Sequence, residues 1–273
     1  MESFIAISQF ESIVAPDAAT FDLSLAALTA AVVLGEEIDI VGEQTRLDEV
    51  ANRARERVVN AESALEQINA LNETIFDELG FAGNTEDYYD PRNSLLNQVM
   101  QRRLGIPITL SLVYIEVGAR LSIPIAGVGM PGHFLVKHEG ESSLYIDPYH
   151  RGVILNENEC IHQFRQINGG LHWDPAFLAT VAHRSLLARM LRNLGAIWTK
   201  RGDLDQAERV LTLLMTLQPD EAGHKRDRGM LRFRLGLRDD ALQDLEAYLK
   251  PGTSAPDTWY VRRIVERIKG DEI

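Results

Sequence analysis

The chain has 273 residues, 45% of them hydrophobic and 25% charged, with a formal net charge of −12, a composition that suits a globular protein with a buried core. The charge is unevenly spread: residues 1–185 carry 12 Lys/Arg against 26 Asp/Glu, and residues 186–273 carry 16 against 14. So acidic a front lacks the basic stripe that nucleic acid or an anionic membrane would need. The single cysteine, Cys160, excludes an internal disulfide framework and suits a reducing cytoplasm.

The start, Met1-Glu2-Ser3-Phe4, lacks the basic opening of a secretory signal, and a cytoplasmic location is expected. The most apolar run, Leu23 to Leu34, is shorter than the ~20 residues a membrane span needs and reads as a core helix. Leu47, Val50, Ala54 and Val58 recur at helical spacing, and Leu65, Ile68, Leu71, Ile75 and Leu79 continue the pattern beyond a break near Asn60. Gly80 is placed to stop that second helix. Gly83 to Pro91 reads as a loop, with Asn93 or Ser94 capping a short helix that runs to Arg103.

Pro107 suits the first turn of a helix. The residues that follow, Leu110, Leu112, Val113, Ile115, Val117 and Leu121, are apolar on nearly all sides, which predicts a buried helix at the centre of its domain. Its N-terminus would aim unpaired N–H groups and the positive end of its dipole beside Pro107 to Thr109. Strand composition follows at 123–128, 134–137 and 144–146. A turn centred on Gly140 would pair Lys137 with Ser143, Phe134 with Ile146 and His133 with Asp147. That register brings an imidazole and a carboxylate to one face, and a one-residue slip would separate them. Asn156 to Ile161 reads as a helix start, with Cys160 a small core residue.

The tail repeats itself. Gly195, Gly202, Ala207 and Leu211 are matched 34 residues later by Gly229, Gly236, Ala241 and Leu245. The second copy is weaker, with Arg228 and Arg232 at two apolar positions. About two repeats over 190–250 and a closing helix from Asp257 to Lys269 are expected.

The segments Arg102 to Ser111, Pro131 to Val136 and Ile146-Asp147-Pro148 resemble the variant transglutaminase-like core of bacterial SirB-type proteins, which also carry C-terminal tetratricopeptide repeats. The resemblance implies an α+β fold: a transglutaminase-like (papain-like) core at about 90–170, within residues 1–185 that include a helical N-terminal region. An all-α tetratricopeptide-like tail would occupy 186–273. It also implies that His133 and Asp147 occupy the histidine and aspartate places of a catalytic triad. The cysteine place falls near Pro107 to Thr109, where no thiol stands; the nearest hydroxyls are Thr109 and Ser111.

Two functions follow as expectations. One is a non-catalytic interaction or regulatory protein whose repeats bind a protein or peptide. The other is a hydrolase or acyl-transferase using Thr109 or Ser111 with His133 and Asp147, with Thr109, His133 and Asp147 as the degenerate triad. Ser111, Trp198 and Arg232 are candidate binding residues. The spacing of His133, Asp147 and His150 fits no compact zinc signature, and Gly127-Val128-Gly129 lacks the rest of a dinucleotide fingerprint, so neither a metal nor another cofactor is expected.

Overall fold

The computed structural model describes residues 2–15, 20–141, 143–250 and 255–270. Its internal packing divides the chain into two compact units, Met1–Met190 and Leu191–Ile273. Among the described residues no helix is long and apolar enough to cross a membrane.

The first unit opens with α1 (Glu2–Ile13), α2 (Leu23–Val33), α3 (Ile40–Val59) and α4 (Ala64–Asn72). Helix α2 is the apolar run foreseen above, and Asp22 caps it by accepting from Leu25 N at 2.8 Å. The stripe on α3 is buried at Leu47, Val50, Ala51, Ala54 and Val58. After the break at Asn60, Ser63 caps α4. Ile68 and Leu71 of α4 turn inward as expected, but Leu65 is left exposed. The backbone then loosens into a π-helical stretch, Glu73–Glu78, that still buries Ile75 and Phe76. Gly80, at φ +73°, ends it.

A two-residue strand, β1 (Ala82–Gly83), pairs in parallel with β2 (Leu104–Gly105). Between them lie a 3-10 turn, Pro91–Ser94, and α5 (Leu96–Arg102). Neither Asn93 nor Ser94 caps α5 as the sequence led us to expect: the helix starts at Leu96 without a side-chain cap, and Asp90 caps the preceding turn. Asn93 instead donates to Asp87 O at 2.7 Å and accepts from Asn84 Nδ2 at 3.1 Å, stitching the 84–90 loop to the turn.

Helix α6 (Pro107–Arg120) has Pro107 at its first position and buries an unbroken run from Pro107 to Gly118. Its one buried charge, Glu116, is met by Arg120 at 2.6 Å and by the Ser24 hydroxyl at 2.8 Å. The sheet that follows has five antiparallel strands in the order β6-β5-β4-β3-β7. They are β3 (Ile125–Val128), β4 (Leu135–His138), β5 (Tyr145–Asp147), β6 (Val153–Leu155) and β7 (Thr180–Val181). Helix α6 packs on β3 and β4. On the opposite face α7 (Glu157–Asn168) closes an apolar cluster of Val128, Met130, Leu135, Tyr145, Cys160 and Phe164. The Asn156 side chain caps α7, and Glu159 reaches back to Asn156 N at 2.7 Å.

The β4–β5 register corrects the expected one by two residues: Lys137 faces Tyr145, and Val136 faces Ile146. The connection is wider than one centred on Gly140, because Glu141 N closes on His138 O and Leu144 N closes on Glu141 O. A shift of two conserves the parity of the pleat, so the facing sets are unchanged. His133 lies ahead of β4 rather than in it, diagonal to Asp147 instead of opposite.

Helix α8 (His183–Arg201) leads into the second unit, which continues with α9 (Leu204–Leu217), α10 (Ala222–Arg234), α11 (Arg238–Tyr248) and α12 (Thr258–Gly270). The 34-residue period has a mechanical cause. Gly229 lies so close to α11 that an added Cβ would sit 2.7 Å from Leu245, and Gly195 similarly faces Val210 at 3.1 Å. Gly202 and Gly236, at φ +79° and +78°, end the first helix of each pair. Arg228 and Arg232 stand at apolar positions because Asp244 is buried opposite them. Arg228 forks onto its two oxygens at 2.8 Å, and Arg232 reaches it at 2.9 Å.

Candidate functional site

The site is built on the turn before β4 and on the end of β5. Gly132 takes φ +76°, and a Cβ there would meet Ile167 at 2.5 Å, so the turn needs glycine. Two long-range clamps hold this turn. Asn168 Nδ2 donates to Pro131 O at 2.9 Å, and Arg189 Nη2 donates to Met130 O at 3.0 Å and to His133 O at 2.8 Å. The Arg189 guanidinium also lies 5.4 Å from the centroid of the Phe134 ring.

His133, 5% exposed, donates through Nε2 to Asp147 Oδ2 at 2.8 Å. Asp147 is 1% exposed and saturated with donors. Its Oδ1 accepts from Tyr149 N at 3.1 Å and His150 N at 3.3 Å, which makes it the cap of the 3-10 turn Pro148–His150. Its Oδ2 also accepts from His150 Nδ1 at 2.7 Å and from Gln163 Nε2 at 2.8 Å. Burial works to raise the Asp147 carboxyl, but the hydrogen bonds from His133, His150 and Gln163 outweigh it and hold the group well below the usual carboxylate range. An ionised carboxylate only accepts, so the Nε2 of His133 carries its proton and Nδ1 is the basic nitrogen. The same bond to Asp147 raises His150 above its ordinary value against a smaller effect of burial.

Aromatic rings frame the pair. Tyr149 stands edge-on to His133 at 6.2 Å, and Tyr88 edge-on to Tyr149 at 6.2 Å. Gly83 provides room for Tyr149, since a Cβ there would fall 2.4 Å from the ring.

The fold thus brings His133 and Asp147 together and adds His150, Gln163, Asn168 and Arg189, which the sequence reading did not place at the site. It brings neither candidate hydroxyl into hydrogen bonding with His133. Thr109 is wholly buried; its Oγ1 donates to Asn93 O at 2.7 Å and accepts from Ile106 N at 3.1 Å, as a helix-capping residue does. Ser111 is equally buried, and its hydroxyl has no hydrogen-bond partner among the described residues. Cys160 sits in the apolar cluster under α7, where burial, and then neighbouring acids, push its thiol up to about 12. Of the other binding candidates, Trp198 is 8% exposed, and Arg232 is held by Glu208 at 2.7 Å and by Asp244.

The spacing of His133, Asp147 and His150 had suggested no metal signature, yet one donor atom from each lies within 4.8 Å of the other two. The overlooked signal is the pair Asp147-Pro148: an aspartate that caps a turn with proline at its first position sets the third residue, His150, back over its own carboxylate. Arg189 and Asn168 act across 56 and 37 residues, a separation that leaves no local pattern.

Comparison with known proteins agrees with this architecture. The transglutaminase-like superfamily profile matches residues 43–192, and a tetratricopeptide-repeat profile matches residues 194–269. A UPF0162 protein of Xylella fastidiosa strain Temecula1 is 41% identical over 186 residues, 66% of this chain and 66% of its own length. A UPF0162 protein of Vibrio cholerae is 25% identical over 248 residues, 90% of this chain and 92% of its own. F-box only protein 21 of Homo sapiens is 29% identical over 254 residues, 84% of this chain but 39% of the human protein. No solved structure matches the chain at a significant level. With a mixed α+β core, a His–Asp pair at its hairpin and a helical repeat tail, the chain belongs to the transglutaminase-like superfamily, alongside the UPF0162 proteins.

Proposed function

We propose that this is an interaction or regulatory protein of the SirB type. Its core keeps the histidine and aspartate of a hydrolytic triad without a nucleophile, and its repeats dock a protein or peptide. The observation that carries this reading is the state of the groups that could attack a substrate. The Thr109 hydroxyl is spent on Asn93 O, and the Cys160 thiol is buried in an apolar cluster. A hydroxyl needs a base within hydrogen-bond reach, and the His133 ring bonds only to Asp147 among the described residues.

The repeat unit supplies the docking half of the proposal. A concave cavity of about 460 Å³ opens in it, lined by Leu211, Leu214 and Met230 together with Arg192 and Arg234. This combination suits an amphipathic peptide bearing a carboxylate. The likeness to part of a longer chain named F-box only protein 21 is in keeping with a module that serves within larger proteins.

Two measurements on the full chain test this reading. Ester hydrolysis and glutamine-to-amine transfer should match buffer and be unchanged in His133→Ala. Peptides selected by display on the chain should lose affinity on Arg234→Glu. The competing reading, a hydrolase or acyl-transferase working through Thr109 or Ser111, gains if turnover appears and disappears with His133.

A further inference from the structure

We propose that His133, Asp147 and His150 together bind one divalent transition-metal ion of the zinc, cobalt or nickel kind. Two of the three donors, Asp147 and His150, line the groove beside β6 and α7, and the third, His133, is buried. Three separate observations point to the site.

The first is convergence. His133 Nε2, Asp147 Oδ2 and His150 Nδ1 all fall within 4.8 Å of one another, with the two nitrogens 2.8 and 2.7 Å from the oxygen. An ion about 2.1 Å from each of two donors this far apart subtends about 84° between them, so each nitrogen must draw back from the oxygen by about 0.6–0.7 Å to give zinc its usual tetrahedral angle. Two imidazoles and one carboxylate favour a borderline transition ion over magnesium or calcium, which prefer oxygen donors.

The second is support around the donors. Tyr149 N and His150 N fix Asp147 Oδ1, and Gln163 Nε2 fixes Oδ2, so the carboxylate stays aimed when its imidazole partners change role. Gln163 Oε1 is buried with no hydrogen-bond partner among the described residues, and a metal-bound water would supply a donor to it.

The third is access. The His150 side chain is 56% exposed, and with Asp147 it lines an open groove of about 630 Å³. An ion can enter from that side and keep solvent in its remaining positions.

Binding exchanges two N–H···O hydrogen bonds for three bonds to the ion. Each ring moves its proton from the coordinating nitrogen to the other one and stays neutral. A His150 protonated beforehand releases one proton to solvent. The ion would tie the turn before β4 to the end of β5. Such a clip requires no turnover, so it stands or falls independently of the function proposed above.

The test uses the full chain, stripped with a chelator, titrated with Zn²⁺ by calorimetry and with Co²⁺ by visible absorption. One ion per chain should bind in excess Mg²⁺, and His150→Ala should weaken it about 10-fold or more. His150→Gln, which leaves a polar side chain at this exposed position, should do the same. His162→Ala should bind as the parent does, because that imidazole lies on the same groove but pairs with Gln166. Absence of stoichiometric binding would overturn the site. So would undiminished binding in both His150 variants, or equal loss in His162→Ala, which would mean an adventitious ion only.

Discussion

Replacing Asp147 by alanine should be costly, and the structure indicates by how much. The carboxylate accepts five hydrogen bonds, three on Oδ2 and two on Oδ1. Its removal strands the His133 Nε2–H, on a residue only 5% exposed, and leaving one buried donor unsatisfied costs about 1–3 kcal/mol. The turn Pro148–His150 also loses its cap, worth about 1 kcal/mol more. His150, mostly exposed, recovers its bond from water and adds little. The expected loss is therefore roughly 2–4 kcal/mol, felt in the first unit. Because the chain has two units, urea unfolding should be followed by hydrogen-exchange mass spectrometry, which separates peptides covering 125–155 from those of the repeats. A loss below about 0.5 kcal/mol in those peptides would mean that Asp147 does not hold the site together, since surface substitutions reach that size unaided.

Further consequences can be measured separately. Nuclear magnetic resonance titration should place the His150 pKa above its ordinary 6.5, and Asp147→Asn should return it. The linked stability has opposite signs on the two groups. The part owed to His150 is complete below its unfolded pKa and fades as pH rises through the raised folded value. The part owed to Asp147 is present above the ordinary carboxyl range and fades as pH falls through the lowered one. A His150 pKa at or below 6.5 would contradict the shared-carboxylate geometry. Gly132→Ala should cost about 1–3 kcal/mol, from its positive φ and the contact with Ile167, and an unchanged melting temperature would refute that strain. Cys160 in the native chain should resist iodoacetamide until the core opens; labelling at the rate of a free thiol would show that it is not buried.

The parts of this structure that follow local rules could be read from the chain. The buried helix after Pro107 declared itself by apolar residues on every side, and the tail by glycines repeating at 34 residues. The meeting of His133 and Asp147 was foreseen through a register two residues out, because pleat parity survives an even shift. A one-residue error would have lost it. Other features carry no such mark. Strands β6 and β7 are three and two residues long, too short for alternation to register. The clamps from Asn168 and Arg189 are single hydrogen-bonding side chains on helices distant in sequence, and nothing in their neighbourhood announces the turn they hold. Arg228 and Arg232 looked like defects in a repeat because their counter-charge, Asp244, arrives from the next helix.

The central proposal is that the core holds an oriented histidine with no hydroxyl or thiol hydrogen-bonded to its ring among the described residues. Intact-mass analysis after treatment with a fluorophosphonate, which modifies hydroxyls activated by an adjacent base, addresses this most directly. The account predicts an unmodified chain. An adduct at Thr109 or Ser111 that forms in the parent and is absent from His133→Ala would contradict it.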